Sequence, residues 1–153
     1  MRKWRRRTRL QLAISNEQCA MYKQRLFHTF KIKSRTMRNE NPLLEKSYQF
    51  SIRIVNAARY LANDKKEFIL SKQLLHSGTS IGANAEEAQG GQSKKDFISK
   101  ISISYKEARE THYWLRLLKD TDYLESKVAN SLIKDCIELK MILFSIIKSS
   151  LKQ

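Results

Sequence analysis

The chain has 153 residues, with 30 Lys/Arg against 15 Asp/Glu and a formal net charge of +15. One proline and four glycines, the latter confined to residues 78–91, leave few places for tight β-turns, so an all-α fold is expected. Two cysteines, Cys19 and Cys136, lack the spacing of a zinc site or disulfide framework and read as reduced thiols of a cytoplasmic protein.

The charge is unevenly placed. Residues 1–38 hold twelve basic residues and one acid, Glu17, a net of +11; residues 39–153 hold eighteen against fourteen, a net of +4. The first segment is expected to be a basic extension, disordered or marginally helical, with Trp4 inside its opening cationic run. Its apolar stretch Leu10–Ile14 is too short for a secretory signal, and no stretch approaches the ~18 apolar residues of a membrane span. Two readings of this segment stand side by side. It is an arm that grips phosphates and stacks on a base, or it is upstream sequence translated ahead of a start at Met37.

A four-helix domain is expected over 39–153. Asn41 and Pro42 read as the N-cap and first residue of a helix that closes near Asn63–Lys66, its apolar face being Leu44, Tyr48, Ile52, Val55, Ala58 and Leu61. A second helix, starting near Lys66 or Glu67, carries Phe68, Ser71, Leu74 or Leu75, Gly78, Ile81, Ala85 and Ala88 on one face and stops at Gly90–Gly91. Gly78, Gly82 and Ala85 form a small-residue seam on it that admits a close neighbour. Ser93 and Asp96 suit an acidic capping box, followed by Phe97, Ile101, Tyr105, Ala108, His112, Leu115 and Leu118 at helical spacing. After a turn at Asp120–Tyr123, a fourth helix runs from Glu125 to Lys152, with Val128, Leu132, Cys136, Leu139, Leu143 and Ile146 on its main stripe. Helices of this length with short connections give an antiparallel up-down-up-down bundle. Their broad apolar faces imply self-association into a homo-oligomer.

The stretches Phe68–Asn84 (FILSKQLLHSGTSIGAN), Ser93–Phe97 (SKKDF) and Lys106–Leu115 (KEARETHYWL) resemble the bacterial four-helix-bundle family associated with 23S rRNA intervening sequences. The likeness spans Asn39–Lys152, while residues 1–36 match nothing in that pattern. It implies a left-handed antiparallel bundle that assembles into a ring, a homopentamer. The chain is also similar to the related accessory protein of diversity-generating retroelements, a basic bundle that works with nucleic acid and a reverse transcriptase. No biochemical activity follows from membership in the first branch.

Catalytic patterns are missing. Gly78–Gly82 lacks the lysine and the strand-to-helix context of a phosphate cradle, and Glu110 stands two residues from His112, the wrong spacing for a bundle metal site. Neither an enzyme nor a metal nor a cofactor is expected. A polar row, Ser77, Ser80, Asn84 and Glu87, shares one face of the second helix, and Glu107 and Glu110 on the third stand to meet it. These six read as a hydrogen-bond network that fixes helix or subunit register, with an acid/base pair at Glu107 and Glu110 as the alternative. The bundle's basic residues, Arg53, Arg59, Lys72, Lys94, Lys95, Lys100, Lys106, Arg109, Arg116 and Lys119, are interspersed with acids, but an oligomer repeats them. The expected function is therefore a non-enzymatic bundle that binds RNA or DNA through a repeated basic surface. A structural scaffold that recruits a protein partner, without touching nucleic acid, is the alternative.

Overall fold

A computed structural model describes residues 41–151 and contains four helices: α1 Pro42–Asn63, α2 Leu70–Gln89, α3 Lys94–Asp120 and α4 Ser126–Leu151. The expected extension over 1–38, with Trp4, Cys19 and His28, lies outside the described residues, as does Lys152. Successive helices pack on one another and α4 closes on α1, with α1 and α4 making the sparsest seam. Cross-helix partners run in opposite directions, for example Lys46 with Glu138 and Arg53 with Ser131. The fold is thus an all-α, antiparallel, up-down-up-down four-helix bundle.

Local chemistry sets the helix ends. The Asn41 side chain accepts from the Leu43 N–H at 3.0 Å ahead of Pro42, and the Ser93 hydroxyl accepts from the Asp96 N–H at 3.1 Å, as the sequence implies. The start of α2 differs from expectation. Residues 64–69 form a loop, with Lys66 left-handed at φ 55°, and the helix begins at Leu70. Glu67 explains the shift: its carboxylate accepts the N–H groups of Ile69, Leu70 and Ser71 at 2.7–2.9 Å, so a side chain ahead of the helix satisfies its orphan donors. At the other end α2 stops as expected, at Gln89 with Gly90 as its C-cap, but Gly90 takes φ −92° and no glycine is left-handed, so the stop is not made by a left-handed glycine. Gly91 is instead in a tight corner, where a Cβ would stand 3.1 Å from the Ala88 carbonyl and 3.2 Å from the Phe97 nitrogen. The left-handed residue that closes α3 is Asp122, with the Tyr123 N–H returning to the Leu118 carbonyl at 3.0 Å.

The core is one cluster drawn from all four helices, including Phe50, Ile54, Leu74, Ile81, Leu115, Leu118, Leu139 and Leu143. On α1 the buried residues are Leu43, Ser47, Phe50, Ile54, Ala57, Ala58 and Leu61; Ala58 and Leu61 are as expected, while the line through the first three turns lies one position or more away from the expected Leu44, Tyr48 and Ile52. Tyr48 is 53 % exposed. The displacement has a steric cause at the α1–α2 seam. A Cβ on Gly78 would meet Ile54 Cγ2 at 2.7 Å and Cγ1 at 2.8 Å, and one on Gly82 would meet the Ser51 hydroxyl at 3.3 Å. α1 therefore turns its branched Ile54 and its small Ser47 toward the glycines, leaving the bulkier Tyr48 outside.

A graded series tests this seam by thermal unfolding. Alanine at position 78 gains about 1 kcal/mol of helix propensity, but the stiff β-branched Ile54 has no room to yield and overpacking costs about 1–3 kcal/mol. Gly78→Ala is expected to lower the Tm, and adding Ile54→Ala to relieve the contact, so that the two effects are not additive. Gly82→Ala should be nearly neutral, and Gly82→Leu should unfold the bundle.

The Glu67 cap predicts a pH effect. Partial burial pushes its pKa up, but the three N–H donors pull it down further, so the net is below its ordinary value of 4.5. A depressed carboxylate pKa contributes stability that is fully present above the unfolded value and is lost as the pH falls through the folded one. Glu67→Gln should cost about 1 kcal/mol at pH 7, and the gap between the two proteins should close as the pH is lowered below 4.5.

Candidate nucleic-acid interface

The ten basic residues singled out by sequence divide by what holds them. Arg53 is committed to the α1–α4 seam: one guanidinium nitrogen is paired with Asp135 and the other donates to the Ser131 hydroxyl at 2.8 Å. Lys100 is committed to the α2–α3 seam, donating to Glu87 at 2.5 Å. That hydrogen bond, and then the charge of Glu87, raise the Lys100 pKa above its ordinary value. Arg59 and Lys72 are exposed on α1 and α2, and Lys94, Lys95, Lys106, Arg109, Arg116 and Lys119 all belong to α3.

α3 is where charge collects. It carries seven basic and four acidic residues, a net of +3, whereas the whole of 41–151 carries +4. Helical spacing sorts these residues. Ile101, Ser104, Ala108, Thr111, Leu115 and Leu118 are buried, and the opposite face holds Lys95, Lys106, Arg109, Tyr113 and Arg116, all exposed. Among the described residues the ion pairs take Lys46, Arg53 and Lys100, and none takes Lys95, Lys106, Arg109 or Arg116. The Glu110 carboxylate beside this row accepts the Trp114 indole N–H at 3.1 Å.

A further cation, Lys140 on α4, joins this surface although its sequence context does not mark it. His112 reports it: the imidazole pKa is lowered below its ordinary 6.5 by partial burial first, then by the positive charges of Lys140 and Arg116. The sequence signal for Lys140 is its place beside buried Leu139 on a helix running antiparallel to α3. That signal requires the register between α3 and α4, which periodicity alone does not supply.

The polar row and the two carboxylates expected to meet it are held mostly within their own helices. Buried Ser77 donates to the Gln73 carbonyl at 2.9 Å and Asn84 to the Ser80 carbonyl at 2.8 Å, while Glu87 is taken by Lys100. Glu110 holds Trp114, and one carboxylate oxygen of Glu107 is buried without a hydrogen-bond partner among the described residues. The polar contacts that do cross between helices include two that helical spacing does not reveal. Ser104 donates to the Ile81 carbonyl at 2.8 Å, and the Cys136 thiol to the Ala108 carbonyl at 3.2 Å. Burial, above all, pushes that thiol's pKa up to about 12, so at neutral pH it stays protonated and unreactive.

A cleft of about 410 Å³ lies elsewhere, between α1 and α4, lined by residues including Arg53, Tyr60, Leu124 and Val128. Glu107 and Glu110 do not line it. Among the described residues no three His, Cys, Asp or Glu side chains converge on a common point, and no helix is long and apolar enough to cross a membrane.

A glycine-seamed antiparallel four-helix bundle with a row of exposed cations along α3 is the class of protein these features define. The profile of the 23S rRNA-intervening sequence protein family matches residues 39–145, and the chain belongs to that family. It is similar to a protein of unknown function from the S23 ribosomal protein family of Bacteroides thetaiotaomicron, solved by crystallography at 1.70 Å resolution. The two are 50 % identical with a TM-score of 0.69, over 69 % of this chain and 98 % of that one. A comparison with curated proteins finds no match.

Glu107 offers a direct test. A buried oxygen without a partner costs about 1–3 kcal/mol, so Glu107→Met should hold or raise the Tm measured by circular dichroism. A fall would show that the assembled protein in solution supplies the carboxylate with a partner.

Proposed function

We propose that the protein is a non-enzymatic, self-associating four-helix bundle that binds RNA or DNA electrostatically through a basic surface repeated around the assembly. The observation that carries this reading is the row of Lys95, Lys106, Arg109 and Arg116 on the outward face of α3, all exposed and outside the ion pairs among the described residues. Cations without protein partners keep their counterion-releasing capacity for phosphates. Self-association is supported by the outer side of α4, where Ile137, Met141, Phe144 and Leu151 are exposed at helical spacing, Met141 and Leu151 each at 69 %. Ring closure into a pentamer, the assembly the family resemblance implies, repeats the α3 surface five times and turns a weak patch into a multivalent one. The same oligomer provides the register in which Ser80, Asn84 and Glu107 find partners on a neighbouring subunit.

The test is a titration of the full chain with ribosomal RNA fragments at several salt concentrations, beside a triple variant Lys106→Glu/Arg109→Glu/Arg116→Glu. Affinity should fall linearly in log K against log salt, and the triple variant should bind more weakly with a shallower slope, by roughly 0.7–0.9 for each phosphate that is no longer neutralised. A flat plot would remove the electrostatic mechanism. An unchanged triple variant would move the site off α3. A protein partner captured in place of RNA, surviving nuclease treatment, would favour the scaffold reading. Sedimentation equilibrium should give a species several times the 18.0 kDa chain mass, and Met141→Lys should shift it toward the monomer.

A further inference from the structure

The outward face of α3 contains one residue that phosphate attraction does not explain. Tyr113 is 50 % exposed in the middle of the cationic row, four residues after Arg109 and three before Arg116. Its ring meets Trp114 at 4.9 Å between centroids and an interplanar angle of 70°, an edge-to-face contact. Whichever ring presents its edge, at least one broad face of the tyrosine is left uncovered by the indole. Trp114 is itself tethered, its N–H donating to Glu110 at 3.1 Å. Tyr113 is therefore a propped, half-exposed aromatic platform between cations.

The accessible faces of the bases decide which form of nucleic acid suits this ring. α3 is a corner of the bundle, packed on α2 and on α4, and its outward side is a ridge carrying the cations and Tyr113. A duplex offers the cations its phosphates, but its base faces are stacked on one another and only base edges reach the grooves, so a tyrosine ring has no base face to cover. An unpaired strand can lay its phosphates on the cations and turn a base onto the ring.

We infer that the Lys106–Arg109–Tyr113–Arg116 row is a track for single-stranded nucleic acid, on which Tyr113 stacks against one unpaired base. Stacking on an aromatic is tolerant of sequence, because every base has a π-face. The track takes unpaired RNA or DNA of any composition, with base identity left unread. This inference rests on the nucleic-acid reading above and narrows it to one strand class and one residue.

The experiment compares the full chain with Tyr113→Leu and Tyr113→Phe, using a 12-nucleotide oligouridine or oligothymidine and a duplex of equal length as probes. Tyr113→Leu should weaken binding of the single strand on the order of tenfold and leave the duplex unaffected. Tyr113→Phe, which keeps the ring, should bind as the parent does. Ultraviolet crosslinking to oligothymidine should map to Tyr113 by mass spectrometry. If neither probe binds, the nucleic-acid reading and this one fall together. If both bind and the Lys106→Glu/Arg109→Glu/Arg116→Glu variant weakens both, while Tyr113→Leu weakens neither, the electrostatic reading survives and the stacking track is wrong. Crosslinks confined to residues 1–38, or a Tyr113→Leu variant that changes oligomer mass in place of strand affinity, would also overturn it.

Discussion

The bundle depends on how closely α1 can approach α2. Where a Cβ would collide with Ile54 at 2.7 Å, Gly78 has none, and the two backbones close the gap. Glycine inside a helix carries a propensity cost of about 1 kcal/mol, offset here by contact made along the whole seam. Ser47, Ser51, Gly82, Ala85 and Ala88 extend that line of small residues. The consequence reaches past the seam. Once Ile54 is turned toward Gly78, the rotation of α1 is set, and Arg53 faces Asp135 on α4 while Tyr48 faces water.

Polar groups then fix the axial register that apolar packing leaves loose. A Leu or Ile face tolerates sliding by a turn, but a buried hydroxyl donor does not, because its misplacement leaves it unpaired. Ser104 and Cys136 each donate to a carbonyl of the helix next door, at Ile81 and Ala108, and lie fully buried in doing so. Both carbonyls also belong to regular helix, so neither bond interrupts the backbone ladder. These two contacts, with Lys100–Glu87 at the rim, align α2, α3 and α4.

Much of this was legible in the residues and some was not, for identifiable reasons. Asn41, Pro42 and Ser93 set helix ends through their own local chemistry, so they can be read without knowing what packs nearby. The glycine seam was legible because Gly78 and Gly82 have no local excuse inside a helix. The start of α2 was not, because Phe68 and Ile69 extend the apolar pattern backward while the capping carboxylate of Glu67 starts the helix after them; both are exposed in the chain, at 55 % and 74 %. The α1 face was misplaced because Leu44, Tyr48 and Ile52 match helical spacing as well as Leu43, Ser47 and Phe50 do. Only the shape of α2 chooses between them. On the cationic surface, sequence supplies the residue types but not their partners: nothing in the spacing separates Arg53 and Lys100, which are tied to acids, from Arg109 and Arg116, which pair with none among the described residues.

That separation also bears on how a modest charge can serve a function. A net of +4 over 41–151 is small for a domain that meets phosphate, and taken as an average it argues for a merely solvated surface. Distribution matters more than the average. The seams take opposite charges in pairs, Lys46 with Glu138, Arg53 with Asp135 and Lys100 with Glu87. Each pair leaves the net untouched, but the two acids of α4 are both consumed, so that Lys127, Lys134, Lys140 and Lys148 stand on that helix without an acid of its own to offset them. On α3, whose inner side is sealed by Ala108, Thr111 and Leu115, the cations Lys95, Lys106, Arg109 and Arg116 stay outside these pairs on the outward face. The packing that closes the core thus sorts the charges as well, consuming acids at the seams and leaving cations exposed on α3 and α4.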